Sequence, residues 1–189
     1  MRRQLLASLR LLVVFTLLTG LVYPLAVTGI AQLTMSFRAN GSLVGSHGRI
    51  VGSSLIGQIF TGDQWFHGRP DAFDPRASGP TNLGPTNPQL IAATQAAIAT
   101  LRTQEGLSEA MPIPADAVTG SGSGLDPDIS VAFARLQAPR VARALGLPLD
   151  QVLALITAQT NGRTFGFLGE PRVNTLLLNI ALERLASGS

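Results

Sequence analysis

Residues 120–124 alternate glycine with serine and are the stretch best suited to nucleophilic chemistry. Ser121 and Ser123 lie in it, but neither fits the Gly-x-Ser-x-Gly pattern that places a nucleophile on a sharp turn. A triad of Ser123, His67 and an aspartate stays open, because geometry and not spacing defines a triad. The same glycines suit a tight turn or a backbone nest for an anion, since glycine adopts positive φ at little cost.

Two histidines and one Asp-Pro-Asp motif are the candidate metal ligands. His47 and His67 are the only histidines, and neither has a second histidine four residues away. Asp126 and Asp128 lack the further oxygen ligands that a calcium loop requires. The sequence therefore predicts no metal site.

The basic residues are all arginine, which excludes several activities. Without lysine, neither a Walker A loop nor a Schiff-base lysine is possible. Without cysteine, disulfides and thiol catalysis are excluded as well. Arg69 and Arg76 could clamp an anion. The alternative is that they pair with two nearby aspartates, Asp71 and Asp74.

The net charge of +3 comes from the N-terminus, where three arginines lie within the first ten residues. The remaining arginines equal the acidic residues in number. Arg135, Arg140 and Arg143 come nearest to a basic cluster and are interpreted as a solvated helix face. No nucleic-acid partner is therefore expected.

Residues 11–37 form an uncharged, strongly apolar segment. As a helix it would be about 40 Å long, more than the roughly 30 Å hydrocarbon core of a bilayer, and it exceeds the apolar region of a signal peptide. It therefore predicts one transmembrane helix. More arginines precede the segment than follow it, which favours a cytoplasmic N-terminus. The two sets are Arg2, Arg3 and Arg10 before it, and Arg38 and Arg49 after it.

Caps and apolar periodicity predict a helix-rich external part. Asn87 and Pro88 mark the start of a helix, and Gly106 marks its end. Ser130 and Asp150 are interpreted as caps of further helices. The predicted helices cover about 88–104, 130–137, 139–145, 150–160 and 171–186. Predicted strands or extended stretches cover 49–53, 115–119 and 164–168, with a helical turn or a strand at 54–60.

These elements predict an α+β protein, with one N-terminal transmembrane helix and a single helix-rich soluble domain that has a few short strands. The expected parts are a basic cytoplasmic N-terminus at 1–10, the helix at 11–37 and an extracytoplasmic domain at 38–189. Ahead of the first domain helix, Gly79-Pro80-Thr81-Asn82 recurs as Gly84-Pro85-Thr86-Asn87. Such proline-fixed turns make good docking surfaces, because little entropy is lost when they bind.

Several long motifs lie in order along nearly the whole chain. The most specific are Trp65-Phe66-His67-Gly68-Arg69-Pro70 and Gly169-Glu170-Pro171-Arg172-Val173-Asn174. Others lie at 23–24, 51–58, 78–88, 118–127, 129–130, 178–179 and 181–182. These motifs resemble the KdpC family, the small C subunits of bacterial Kdp potassium-transporting ATPases. Pro80 stands where that family usually has Gly, and Asp128 stands where it usually has His.

The resemblance implies an accessory subunit of a high-affinity potassium uptake complex in the bacterial inner membrane. Its partners would be the lipid bilayer, a potassium-channel-like subunit, a P-type ATPase subunit and a small single-span subunit. The family is described as a catalytic chaperone that raises the affinity of the ATPase subunit for ATP. ATP would therefore be reached through that subunit, and no ATP ligand is assigned in this chain.

The residues themselves agree with a non-catalytic role within such a complex. An Asp-Lys-Thr phosphorylation motif needs lysine, and the chain has no Thr-Val-Gly-Tyr-Gly filter. An external domain cannot touch cytoplasmic ATP, so the expected effect on nucleotide is indirect. The residues expected to contact partners are Arg69, Ser78, Asn82, Leu83, Asn87, Ser123, Asp126, Asn174 and Asn179. For the two asparagines on the last apolar helix, Asn174 and Asn179, the favoured alternative is a structural role that ties this helix to the turns.

Two other functions stay open at this point. One is a membrane-anchored periplasmic hydrolase that uses Ser123 and His67, and the other is a solute-binding module. The absence of cysteine excludes a lipoprotein anchor for such a module.

Overall fold

A computed structural model describes residues 1–188, and their contacts divide the chain into a unit at Met1–Leu43 and a second unit that begins at Val44. In the first unit, α1 (Arg2–Leu17) continues through a π-helical turn at Leu18–Val22 into α2 (Tyr23–Ala39). The π turn precedes Pro24, whose missing N–H cannot bond to the turn before it.

The whole stretch Arg2–Ala39 is long and apolar enough to cross a membrane. No residue of α1 or α2 is buried within the described residues 1–188. A long, strongly apolar helix without buried residues is typical of a membrane span. One long apolar N-terminal helix is thus confirmed.

The second unit opens with a hairpin of two short strands, β1 (Leu43–Ser46) and β2 (Arg49–Ser53). The strand predicted at 49–53 is therefore confirmed. Residues 54–60 form a turn followed by irregular chain, so both the helical turn and the strand predicted there are wrong.

The helix α3 (Pro88–Glu105) begins and ends where the sequence predicts. The Asn87 side chain accepts a hydrogen bond from the Gln89 N–H at 2.8 Å, which satisfies a donor of the first turn. Gly106 ends the helix in the left-handed conformation, with φ of 65°.

Three more helices differ from prediction at their ends. The first, α4 (Val131–Leu145), is continuous, so the predicted break before Pro139 is wrong. The proline is exposed, while residues on both sides of it pack into the core and hold the helix together. The next, α5 (Leu149–Ala158), has Pro148 at its N-cap position without a side-chain capping bond, and Asp150, predicted as the cap, lies in its first turn. The last, α6 (Thr175–Ser187), starts after Asn174 and not at Pro171.

A small antiparallel sheet explains the later start of α6. Its strands β3 (Asp128–Ser130), β4 (Thr160–Asn161) and β5 (Arg172–Asn174) are ordered β3-β5-β4. In the central strand Val173 pairs with Ile129 on one side and Thr160 on the other. Pairing on both edges holds 172–174 extended, which a helix from Pro171 would prevent.

Two other predicted extended stretches are also wrong. Residues Ala115–Ala117 form a 3₁₀ turn instead of the strand predicted at 115–119. The stretch 164–168 is a tight turn closed by a bridge between Thr164 and Leu168. An α+β domain rich in helices with a few short strands is nevertheless confirmed.

The core lies where α4, α5 and α6 meet the three-stranded sheet. Its fully buried side chains come from all of these elements. They include Ala138, Val141, Val152, Ile156, Val173, Leu178 and Leu182. This core supports the loops that carry the candidate site.

Candidate partner-docking site

Two irregular segments, 69–79 and 119–126, are bonded side by side. We call them the proline segment and the serine segment. Ser121, which is buried, joins them: its Oγ donates to Asp71 Oδ2 at 2.6 Å and its N–H donates to Asp71 Oδ1 at 2.8 Å. The same Oγ accepts from the Gly124 N–H at 2.8 Å, which closes the glycine turn. A carboxylate that accepts two bonds from one residue fixes that residue firmly.

Arg69 fastens the other end of the serine segment. Its Nη2 donates to the Gly120 carbonyl at 2.8 Å and to the Thr119 carbonyl at 3.2 Å. Its Nη1 lies 3.4 Å from Asp126 Oδ2. The predicted pair with Asp71 is therefore wrong, because Asp71 bonds to Ser121. Arg76 does pair with Asp74, at 3.1 Å, on the surface.

Ser78 and Ser123 complete the junction through one carbonyl. The Ser123 carbonyl accepts from Ser78 Oγ at 2.9 Å and from the Gly79 N–H at 2.8 Å. The structure thus brings together four of the residues expected at the interface: Arg69, Ser78, Ser123 and Asp126. Each of these residues takes part in a bond between the two segments. In this structure they therefore hold the base of the loop.

The loop that leaves this junction is exposed. Of the expected residues in it, Leu83 is half-buried, while Asn82 is exposed and adopts φ of 56°. Within the described residues 1–188, the Asn82 side chain makes no hydrogen bond. Asn87 lies at the end of the loop and caps α3. The loop therefore presents the Asn82 amide to solvent.

The two asparagines of the last helix hold the domain together internally. Asn174 caps α6 by accepting from the Leu177 N–H at 3.1 Å, and its Nδ2 donates to the Ser54 carbonyl at 2.9 Å. The buried Asn179 side chain accepts from the Phe66 N–H and donates to the Phe66 carbonyl, both at 2.9 Å. Each thus ties α6 to the chain near β2 and Trp65, away from any exposed surface.

A buried polar group around Arg140 was not predicted. The expectation that Arg140 faces solvent is wrong: its side chain is 5% exposed, and Nε donates to Glu105 Oε1 at 2.8 Å. Its Nη1 donates to the Asp63 and Trp65 carbonyls, and Nη2 donates to Gln137 Oε1. Burial raises the pKa of Glu105, and the hydrogen bond from Arg140 opposes that shift.

His67 lies beside this group, and its surroundings disfavour the protonated ring. Nε2 lies 3.0 Å from the Gly62 carbonyl, which only accepts, and Nδ1 lies 3.0 Å from Gln104 Nε2. Burial lowers the pKa of His67, and the positive charge of Arg140 lowers it further. The Ser123 hydroxyl instead meets Ser121 Oγ and the Leu125 N–H. The two residues of the hydrolase hypothesis are therefore not bonded to each other.

The acidic Asp-Pro-Asp motif is engaged by arginines. Asp126 faces Arg69, and Asp128 Oδ2 lies 2.8 Å from Arg172 Nε. Burial raises the pKa of Asp128, and the charge of Arg172 opposes the shift. Over residues 1–188, no group of three or more metal-binding side chains is placed to hold an ion.

Comparison with known proteins gives one consistent result. A family model described as KdpC, K+-transporting ATPase, c chain, matches residues 5–184. A protein of Mycobacterium bovis named potassium-transporting ATPase KdpC subunit is 52% identical, with 98% of this chain and all of the relative covered. A relative of the same name in Methylibium petroleiphilum is 53% identical over 97% of this chain and 98% of its own length. A third relative of the same name, from Caulobacter vibrioides, is 54% identical over 89% of this chain and 87% of its own length.

Proposed function

Because the chain belongs to the KdpC family, the C chains of K+-transporting ATPases, we propose that it is a non-catalytic accessory subunit of an ATP-driven potassium uptake complex. Its partners are a channel-like potassium-binding subunit, a P-type ATPase subunit and a small single-span subunit. The chain supplies an anchor and a docking domain to that assembly, and the ATPase subunit hydrolyses ATP.

The anchor is the helix Arg2–Ala39, placed in the bacterial inner membrane with its N-terminus in the cytoplasm. An apolar helix without internal packing partners needs lipid or another apolar helix around it. Three arginines lie just before the apolar stretch, whereas only Arg38 and Arg49 lie just after it. This difference supports a domain on the external side of the membrane. On the external side, the domain covers or stabilises the face of the complex at which potassium enters.

The exposed loop at 78–86 is the observation that carries the docking role. Arg69, Ser78 and Ser123 hold its base through bonds between the two segments, so the loop keeps one shape before it binds. Asn82 then offers an unpaired amide from a rigid turn. Association is favoured when the binding surface is already ordered, because less conformational entropy is lost.

A domain on the external side of the membrane can affect ATP binding only through the partner subunits. We propose that docking favours the ATPase conformation that binds ATP, which makes the chain a catalytic chaperone without nucleotide ligands of its own. Such a coupling requires only that the domain contacts one conformation of the complex better than another.

Deletion of the Asn82 side chain tests the docking role. Asn82→Gly removes the amide and tolerates the positive φ of 56° at that position. Loss of one interface hydrogen bond, worth about 0.5–1.5 kcal/mol, lowers affinity by roughly twofold to tenfold. We expect co-purification with the partner subunits, and uptake at micromolar potassium, to fall accordingly.

Gln151→Ala is the matched control, because it removes an exposed side-chain amide from α5, away from the loop. It is expected to leave assembly and uptake unchanged. Normal assembly and uptake by Asn82→Gly, at an unaltered unfolding midpoint, would contradict the docking role of this loop.

A further inference from the structure

The chain at 50–59 carries an apolar surface that the domain leaves uncovered. We call this surface the hairpin patch, and its exposed side chains are Ile50, Val51, Leu55, Ile56 and Ile59. Ile50 is 69% exposed and Ile59 is 66% exposed, although isoleucine is among the residues most often buried. Single apolar side chains on a surface need no explanation, whereas a cluster of them marks a contact with lipid or with another molecule.

Hydrogen bonds fix the backbone beneath the hairpin patch. The Gly57 N–H donates to the Leu125 carbonyl at 2.8 Å, which joins the turn after β2 to the domain. Gln58 Nε2 donates to the Val51 carbonyl at 3.0 Å, which brings the chain after that turn back beside β2. The patch is therefore a formed part of the fold whose apolar side chains remain accessible.

The β1–β2 hairpin cannot lie far from the membrane, because the chain that joins it to the apolar helix is short. The uncharged stretch ends at Phe37, and β1 begins six residues later at Leu43. At no more than about 3.6 Å per residue, these six residues span at most about 22 Å, whatever the orientation of the domain. The headgroup layer takes up about 5–7 Å of that distance. No comparable limit holds for the exposed apolar turn at 165–168, which lies far along the chain.

The charges of this part of the chain suit an anionic surface. Residues 1–62 contain no aspartate or glutamate, whereas Arg38 precedes the hairpin and Arg49 opens β2. Glu183 reaches the hairpin from α6, but it lies on β1, where it accepts from Ser46 Oγ at 3.2 Å. Arginines beside an apolar surface are attracted to anionic lipid headgroups, and the apolar side chains then enter the layer beneath.

We propose that the hairpin patch lies in the headgroup layer of the bilayer that holds the apolar helix, with Ile50, Leu55 and Ile59 in contact with lipid. The contact is a second attachment to the membrane, on its surface, and it limits how far the domain moves away from the bilayer. This inference rests on the membrane anchor of the proposed function and does not depend on the Asn82 loop.

Spin labels on single cysteines test this contact in the full chain, reconstituted in vesicles of equal parts of phosphatidylcholine and phosphatidylglycerol. The protein has no cysteine, so Leu55→Cys provides a single labelling site within the patch. We expect this label to meet oxygen, which concentrates in lipid, more readily than a water-soluble nickel complex. Ile91→Cys, at an exposed isoleucine of α3, is the matched control and should show the reverse preference.

Two aspartates within the patch should release it from lipid. Ile50→Asp together with Ile59→Asp is expected to shift the equilibrium from lipid contact toward water at least about tenfold, as reported by the label at position 55. Both side chains are exposed, so the core is not disturbed. Ile91→Asp together with Met111→Asp adds the same charge at exposed positions outside the patch and should leave the label in lipid.

The proposal is overturned if the label at position 55 prefers the nickel complex as the control at position 91 does, or if the two aspartates in the patch leave it in lipid. A label on Val27→Cys distinguishes this failure from failure of the anchor. Oxygen contact at position 27 with a water-exposed label at position 55 refutes the patch alone, whereas nickel contact at position 27 refutes the anchor and the patch together. In the assembled complex, protection of position 55 from both reagents would assign the patch to a partner subunit and would also overturn the proposal.

Discussion

Asn179 is the side chain whose removal tests most directly how the domain is held together. It lies on α6 with 2% exposure and pairs with both backbone groups of Phe66. Phe66 is itself fully buried. Asn179→Ala therefore leaves the N–H and the carbonyl of Phe66 without their side-chain partner inside the protein.

The expected cost follows from these two orphaned groups. Each buried polar group without a partner costs about 1–3 kcal/mol, which gives roughly 2–6 kcal/mol for the pair. Alanine returns roughly 0.6 kcal/mol through its better helix propensity. We therefore expect the free energy of unfolding to fall by about 1–5 kcal/mol.

The assay uses Trp65, the only tryptophan, which precedes Phe66 in the chain. Its fluorescence in the full-length protein in detergent reports denaturant unfolding, and its emission in native buffer reports local loosening. Arg184→Ala, at an exposed position of the same helix, is the control and should change stability by less than about 0.5 kcal/mol. A loss below about 1 kcal/mol in Asn179→Ala, with native Trp65 emission, would refute the reasoning.

Two further predictions concern proton binding and topology. The lowered pKa of His67 means that the folded protein binds the imidazole proton less tightly than the unfolded chain does. The contribution of neutral His67 to the free energy of unfolding is therefore fully present above the ordinary pKa of 6.5 and is lost as the pH falls below 6.5. His67→Gln should lessen the dependence of the free energy of unfolding on pH between about pH 7.5 and pH 5.5, relative to the unaltered protein. The same dependence in both proteins would contradict this prediction. Ser187→Cys introduces the only cysteine, which an impermeant maleimide should label in intact cells if the domain is external. Labelling only after lysis would reverse the proposed orientation.

The helix α3 shows which features could be predicted from sequence. Asn87, Pro88 and Gly106 act on donors and acceptors within a few residues of themselves, so both ends of the helix were predicted correctly. The same local signals misplaced the start of α6. Asn174 does cap it, but the sheet pairing of 172–174 with β3 and β4 decides where it begins.

Arg140 shows why the polar interior was not predicted. Charged residues on a helix are usually solvated, and the sequence does not show that this face of α4 meets α3 and the chain at 63–67. A signal was present, because Gln137 and Arg140 share the face of Ala134, Ala138 and Val141, all buried. A long polar side chain within such an apolar stripe indicates a buried, paired group.

The sequence by itself determined the apolar N-terminal helix, the caps at Asn87, Gly106 and Ser130, and the family, because hydropathy, capping and motifs depend on neighbouring residues. Only the tertiary structure decided which of the expected docking residues remain available. Asn179 meets Phe66 across 113 positions of the chain, and Arg69 meets Gly120 across 51. Pairing over such separations depends on how the core packs, and it leaves Asn82 exposed while Arg69, Asn174 and Asn179 hold the domain together.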